Sequence, residues 1–190
     1  MSTPERVVLP LEVTIRECAR NDLPGLEWWG MFSHHREIIE DAFARQERGE
    51  NLMLIAFAGG SPVGQAWVEL AVRADEGAGL LWAVRVHPAL QGLGLGTRLL
   101  DAAERALRER GYAWAEIGVE KDNPRARALY ERVGYRLHRE LREEYGYTHP
   151  GGQPVRHVID EWMLRKDLRA AGAGERVEMT MTSVDAEEVG

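Results

Sequence analysis

The residues best suited to chemistry lie in one stretch between a β-branched run and a helical pattern. Residues 84–86 and a His-Pro pair precede three alternate glycines, Gly92, Gly94 and Gly96. Glycine adopts positive φ readily and allows a ligand to approach the backbone amides closely. The helix that follows presents unpaired N–H groups and the positive end of its dipole, which together favour a phosphate group. The Gln91 side chain is placed to contact the same anion.

The spacing of these glycines differs from the two common nucleotide-binding loops. It does not match the dinucleotide fingerprint, and no Gly-Lys-Ser/Thr follows it as in a Walker A loop. Taken alone, the cluster therefore favours a plain turn between a strand and a helix over a phosphate site. A nucleotide-phosphate binder remains an alternative with less support.

A second motif further along the chain changes this interpretation. Gln91-x-x-Gly94-x-Gly96, after a Val-x-Val-His-Pro strand, resembles the acyl-CoA pyrophosphate loop of the GNAT superfamily of N-acyltransferases. The segment at 123–135, Asn-Pro-Arg-Ala-Arg-Ala-Leu-Tyr-Glu-Arg-Val-Gly-Tyr, resembles the second signature of the same family. The two motifs occur in the family order, and the resemblance covers residues 13–168.

The resemblance implies an α/β fold whose mixed, mostly antiparallel sheet is splayed in the middle and carries helices on both faces. It implies transfer of an acetyl group from acetyl-CoA to a primary amine of a small molecule or peptide, without a metal. The alternative is a non-catalytic acyl-CoA-binding module of this fold that acts as a sensor or scaffold.

By the same resemblance, acetyl-CoA contacts the glycine loop, the strand before it and the start of the second motif. The predicted contacts are Val84, Arg85, Val86, Gln91, Gly92, Leu93, Gly94, Leu95, Gly96, Thr97, Asn123, Ala126 and Tyr130. Tyr130 matches the family's acid, because a phenol is protonated at neutral pH and can donate to a thiolate. The alternative role of Tyr130 is packing beside Leu129 on the apolar stripe of a helix. Asn123 fits a helix cap as well as a contact to CoA.

The base and the acceptor pocket are less evident. The family positions for a base match Leu80 and Trp82, and Gly118 stands where members that acetylate protein N-termini often carry a glutamate. Glu116 is therefore the candidate base, acting through water, with Glu69 as a weaker candidate. The predicted acceptor-side residues are Trp82, Trp29, Phe32, Glu69 and Tyr147. The alternative is that the aromatic residues belong to the core and that the glutamates are solvated strand residues.

Composition narrows the class of protein. The chain has 190 residues, of which 44% are hydrophobic and 29% charged, as in one globular domain with a sizeable core. Its net charge of −7 argues against a nucleic-acid partner. No apolar run approaches the roughly 20 residues of a membrane span, and no secretory signal begins the sequence. With one cysteine, these features predict a cytoplasmic protein without a membrane partner. A homodimer is compatible with them.

The elements that must position these residues follow from periodicity. We expect a leader at 1–11, the acyltransferase domain at 12–168 and a disordered acidic tail at 169–190. Strand 80–86, helix 97–110 and strand 112–120 form a crossover, which predicts two parallel strands. Strands 135–139 and 155–164 should pair, with 143–154 as their glycine-rich connection. A helix over 33–47 should bury Ile38, Ile39, Ala42 and Phe43.

Overall fold

The computed structural model describes residues 10–28, 30–148 and 154–169, and the side chains of these except at 144–148 and 154–157. The strands are β1 Val13–Glu17, β2 Asn51–Ala58, β3 Ser61–Glu69, β4 Ala78–Val86, β5 Trp114–Glu120, β6 Arg136–Thr148 and β7 Pro154–Asp167. The α-helices are α1 Arg36–Glu47, α2 Leu95–Glu109 and α3 Pro124–Arg132, and short 3-10 helices cover Arg20–Glu27, Ser33–His35, Ala74–Glu76 and Pro88–Leu90. Within the described part, no helix is both long and apolar enough to cross a membrane.

One sheet contains all seven strands, in the order β1-β2-β3-β4-β5-β7-β6. Only β4 and β5 run parallel, because α2 carries the chain back across the sheet between them. The other neighbouring strands are antiparallel. The predicted mixed, mostly antiparallel sheet and its parallel crossover are therefore confirmed.

Helices cover both faces of this sheet. On the first, the α1 face, α1 and the 3-10 helix Arg20–Glu27 pack on apolar residues of β2 and β3. On the second, the α2 face, α2 packs its apolar stripe onto the centre of the sheet, with α3 beside it. The α2 stripe is fully buried at Leu99, Leu100 and Leu107, as its 3.6-residue spacing predicts.

The splay lies between β4 and β5. The two strands pair only over 78–81 and 114–117, and residues 82–86 and 118–120 then diverge. We call this gap the β4–β5 opening. Ala83 has a φ of +49°, and the register of β3 against β4 shifts at the same level. A β-bulge therefore interrupts β4 where it leaves its neighbour.

This bulge corrects one sequence expectation. Regular alternation predicts that Trp82 and Val84 face the same side. Instead, Trp82 packs with Trp67 on the α1 face, whereas Val84 packs against the α2 face. The extra residue at Ala83 reverses the alternation for the rest of the strand.

Two further expectations about the elements were wrong. The connection expected at 143–154 is largely strand, because β6 extends to Thr148 and β7 begins at Pro154. Antiparallel pairing satisfies the backbone there, and alternating β-forming residues outweigh the glycine between Tyr145 and Tyr147. Ile38 is 48% exposed, because it lies beside the buried stripe of α1, which consists of Ile39, Ala42 and Phe43. The expected leader falls mostly, and the expected tail almost entirely, outside the described residues.

Candidate active site

The glycine loop has the backbone that the sequence predicts. Gly92 and Gly94 have φ values of +82° and +83°, and a β-carbon added at either would meet no atom within 4 Å. Gly94 is the N-cap of α2, whose first N–H groups have no partner within the helix. Gly96 has another role, because a β-carbon built on it would lie 3.4 Å from Leu129 Cδ2 of α3, which packs beside it. The loop thus combines two left-handed glycines with one close helix contact.

A cavity of about 560 Å³ joins this loop to the second motif. Its lining residues come from the end of β4, the loop, the start of α2 and the α3 region: Val86, Leu90, Gln91, Gly92, Gly94, Gly96, Thr97, Asn123, Arg125, Ala126, Leu129 and Arg132. The cavity therefore brings together eight of the predicted acetyl-CoA contacts. Arg125 and Arg132 add two cations that sequence reasoning did not single out.

Five predicted acetyl-CoA contacts do not line this cavity. Val84 packs in the core, and Leu95 is buried there. Leu93 is 71% exposed and borders a separate groove with Leu90 and Leu95. The side chain of Arg85 lies on the α1 face, against Phe32. Tyr130 is the fifth of these residues.

Two polar side chains of the motifs have local partners. Gln91 Nε2 donates to the carbonyl of Val86 at 3.1 Å, which ties the loop to the end of β4. Asn123 Oδ1 accepts from the amide of Ala126 at 3.1 Å and so caps α3. The prediction that Asn123 caps α3 is therefore confirmed. Asn123 also lines the cavity.

Tyr130 is nearly buried between α3 and the sheet, with its ring centroid 6.2 Å from that of Tyr135. Burial raises the pKa of Tyr130 to about 12, and the negative charge of Glu161 adds to this rise. The phenol is therefore protonated throughout the neutral range. It can donate a proton, and it fills the core as well.

The α1 face beside the opening is aromatic and cationic. Trp82 Nε1 donates to Asn51 Oδ1 at 3.1 Å, and its ring meets that of Trp67 edge-on at 4.8 Å. Beyond the bulge, the Arg85 guanidinium lies 4.5 Å from the centre of the Phe32 ring and donates to His35 Nδ1 at 3.2 Å. Burial, with smaller contributions from Arg85 and His34, lowers the pKa of His35. His35 therefore acts as a neutral acceptor.

The two glutamates proposed from sequence are held in ion pairs. Glu116 is fully buried, and its carboxylate accepts from Arg165 Nε at 2.6 Å and lies 3.3 Å from Arg73 Nε. It stands where β4 and β5 still pair, opposite Leu80, and not beside the opening. The carboxylate of Glu69 is likewise bound by Arg45 of α1. The half-buried guanidinium groups of Arg73 and Arg165 thus hold the Glu116 carboxylate at the paired end of the two strands, and its role as the base stays a prediction.

Another carboxylate lies at the opening, and sequence reasoning missed it. Glu161 of β7 lies over Gly118 of β5, and its Oε2 fills the space that a β-carbon on Gly118 would need. Burial, followed by the charges of Glu120 and Glu143, raises the pKa of Glu161. The only sequence signal is indirect, since a glycine at 118 leaves room that a neighbouring strand can fill.

Comparison with known proteins identifies the family. Residues 16–135, more than half of the chain, match the family model described as the acetyltransferase (GNAT) family. The chain belongs to the GNAT family. A mycothiol acetyltransferase of Beutenbergia cavernae is 40% identical over 76 residues, which are 40% of this chain and 25% of the relative. One of Streptomyces scabiei is 32% identical over 146 residues, covering 70% of this chain and 46% of the relative. This GNAT chain spans less than half of the length of these two relatives.

Solved GNAT structures share the fold. The ribosomal-protein-S18-alanine N-acetyltransferase of Escherichia coli has a TM-score of 0.62 at 23% identity, covering 83% of this chain and 94% of that one. The PaiA N-acetyltransferase of Thermoplasma acidophilum, in complex with coenzyme A, has a TM-score of 0.60 at 17% identity and covers 82% and 99%. At these identities the likeness supports the GNAT fold alone.

Two predicted acceptor-side residues of this GNAT chain have no described side chain. Trp29 lies outside the described residues, and Tyr147 is a β6 residue whose side chain lies outside the described part. Trp82 packs on the α1 face, and Phe32 lies against the Arg85 guanidinium of the same strand. Within the described residues, no three His, Cys, Asp or Glu side chains are grouped to hold a metal ion.

Proposed function

We propose that this chain is an acetyl-CoA-dependent N-acetyltransferase whose acceptor is a primary amine of a small molecule or a peptide. The observation that carries the proposal is the single cavity that unites both family motifs at one end of the β4–β5 opening. The names of similar proteins support this class, since they are a mycothiol acetyltransferase and a ribosomal-protein-S18-alanine N-acetyltransferase. The lone cysteine supports a cytoplasmic location as part of the same proposal.

The cavity suits the pyrophosphate of CoA. Gly92 and Gly94 expose backbone amides without a side chain in the way, and the α2 N-terminus adds its dipole. Arg125 and Arg132 would neutralise phosphate charge at the cavity wall. A flat or apolar surface would supply none of these groups, so the residues present fit the cosubstrate.

The opening suits the thioester arm. Residues 82–86 of β4 have no β5 partner, so their outward amides and carbonyls can pair with the amide groups of the arm. Amides aimed at the thioester carbonyl would also stabilise the negative charge that develops on its oxygen. The family resemblance assigns this role to the same strand.

Tyr130 is the proposed acid for the leaving thiolate. Its hydroxyl is protonated at neutral pH, and it belongs to the wall between α3 and the sheet. When the amine has added to the thioester carbonyl and the C–S bond breaks, the sulfur anion needs a proton. A buried phenol supplies that proton without admitting bulk water.

The test is amine-dependent release of the CoA thiol. The purified chain is mixed with acetyl-CoA and a panel that includes small diamines, amino sugars, cysteinyl compounds and short peptides with a free N-terminus. We expect thiol release only with amines, and a mass spectrum that shows the acetylated product. Tight CoA binding without any release would instead support the non-catalytic module.

A further inference from the structure

We propose that Glu161 is the general base of this enzyme, and that its carboxylate, reaching across from β7, takes the place of a side chain that Gly118 lacks. The inference rests on the proposed acetyl transfer and adds the residue that deprotonates the acceptor. It moves the base from Glu116, two residues before Gly118 on β5, to a neighbouring strand.

The register of the strands brings Glu161 to this place. Glu161 pairs with Glu120, and Met163 pairs with Gly118. The Glu161 side chain extends along β7 from the Glu120–Glu161 pair toward the Gly118–Met163 pair. Its Cδ therefore lies 3.2 Å from a β-carbon built on Gly118. A side chain at 118 would displace this carboxylate, which is the flexible end of the Glu161 side chain. Glycine at 118 and glutamate at 161 therefore form a complementary pair.

Gly118 marks the beginning of the β4–β5 opening. The last paired residues are Leu81 and Ile117, so Gly118 is the first β5 residue without a β4 partner. Leu164 and Trp162 of β7 pack on the α2 face, which places Glu161 and Met163 on the α1 face. The Glu161 carboxylate therefore lies at the mouth of the opening, on the side that carries Trp82.

The proposed acid approaches the same opening from the other face. Tyr130 belongs to the α2-face core, yet the Glu161 charge contributes to the raised pKa of its phenol. Tyr130 and Glu161 therefore belong to opposite faces of the sheet and act on each other electrostatically. A thioester lying between them would have its sulfur near the phenol and its carbonyl carbon open to an amine from the carboxylate side.

The surroundings of Glu161 favour proton uptake. The titratable groups that act on it are Glu120 of β5, Glu143 of β6 and Tyr130 of α3. The cation on the same face of the sheet is Arg139 of β6, which pairs with Met163. Arg165, on the same side of β7, is engaged by Glu116 and Glu76. Burial and the two carboxylates raise the pKa of Glu161 toward the working range of a base, whereas Glu116 is enclosed by guanidinium groups.

The proton balance is complete with these groups. The acceptor ammonium gives one proton to the Glu161 carboxylate, and the freed nitrogen lone pair forms a C–N bond with the thioester carbon. The C–S bond then breaks, and the thiolate takes the Tyr130 proton. The nitrogen of the new C–N bond gives up its second proton, which restores the Tyr130 phenol through water, and Glu161 releases the first proton to solvent. In sum, an ammonium and a thioester give an amide, a thiol and one proton.

The test compares Glu161→Gln with a matched control, Glu120→Gln. The control removes the neighbouring carboxylate on β5 and should keep kcat/KM at neutral pH, with the inflection shifted to lower pH. The readout is kcat/KM for one amine from about pH 5 to about pH 9, together with CoA affinity. Wild type should gain activity with rising pH through an inflection above the ordinary glutamate range. Glu161→Gln should lose about 10²-fold or more at neutral pH and lose that inflection, with CoA affinity unchanged. The amine's own ionisation acts equally on each variant.

A second variant guards against misfolding. Gly118→Ala leaves Glu161 in the chain but displaces its carboxylate, and it should also lower kcat/KM while CoA still binds. A Glu161→Gln profile that superimposes on the wild-type profile would overturn the assignment of the base and leave the proposed function intact. A wild-type chain that acetylates no amine would overturn the proposed function, and this base with it.

Discussion

Two glycines at opposite ends of α2 form a matched pair for testing the cavity. Gly94 is the N-cap of the helix and Gly111 follows its C-terminus, and both have a φ of +83°. A β-carbon added at either position meets no atom of the protein within 4 Å. Only Gly94 lines the cavity proposed for CoA. Gly94→Ala and Gly111→Ala therefore carry the same backbone strain and differ in their distance from the ligand.

The structure sets the expected change in stability. A non-glycine residue in the left-handed region costs roughly 1–2 kcal/mol. The smaller conformational freedom of alanine in the unfolded chain offsets about 0.4–1 kcal/mol of this. Each variant should thus lose on the order of 1 kcal/mol, which lowers Tm by about 2–4 °C in a chain of this size. No steric clash adds to either value.

The two variants should differ in CoA affinity. A methyl group at position 94 occupies space where the pyrophosphate must approach the loop amides, and it opposes the φ that aims them. We expect Gly94→Ala to raise the Kd for CoA by about tenfold or more, equivalent to about 1.4 kcal/mol. Gly111→Ala should bind as wild type does. Calorimetric titration and thermal melting measure both quantities, and equal CoA affinity in the two variants would refute the assignment of the loop.

Three further predictions concern other positions. Tyr130→Phe should lower kcat by about 10²-fold with little change in CoA affinity. Tyr135→Phe removes the neighbouring buried phenol and should keep kcat, and thiol-release assays compare the two variants. Glu116→Gln removes a buried carboxylate from two half-buried arginines that both keep Glu76, so it should cost about 1–3 kcal/mol in urea unfolding while kcat per folded molecule stays near wild type; a tenfold loss of kcat would return Glu116 to the site. Arg125→Gln should weaken CoA binding a few-fold and reduce its salt dependence, and a titration series in salt that matches wild type would contradict this.

Local patterns were sufficient for the parts of the fold that depend on neighbours in sequence. The apolar spacing of α2, the glycines before it and the Asn123 cap each act within a few residues, and all three were predicted correctly. The parallel β4–β5 pair also follows from local order, because a helical crossover imposes that direction.

The features that the sequence did not predict depend on contacts between distant segments. The bulge at Ala83 exists because β4 must pair with β3 while it parts from β5, and no residue of its own sequence announces it. Glu161 meets Gly118 only through the register of β7 on β5. The ion pair of Glu116 with Arg165 comes from the same register, which is why an apparently available strand carboxylate was a buried structural one.

The most direct measurement of the central claim is the yield of two products in one reaction. Acetyl-CoA and an accepted amine are incubated with the chain, and CoA thiol and acetylated amine are quantified together. We predict one acetylated amine for each thiol released, with both absent when the amine is omitted. Saturable CoA binding with no amine-dependent formation of either product would contradict the account and leave a binding module in place of an enzyme.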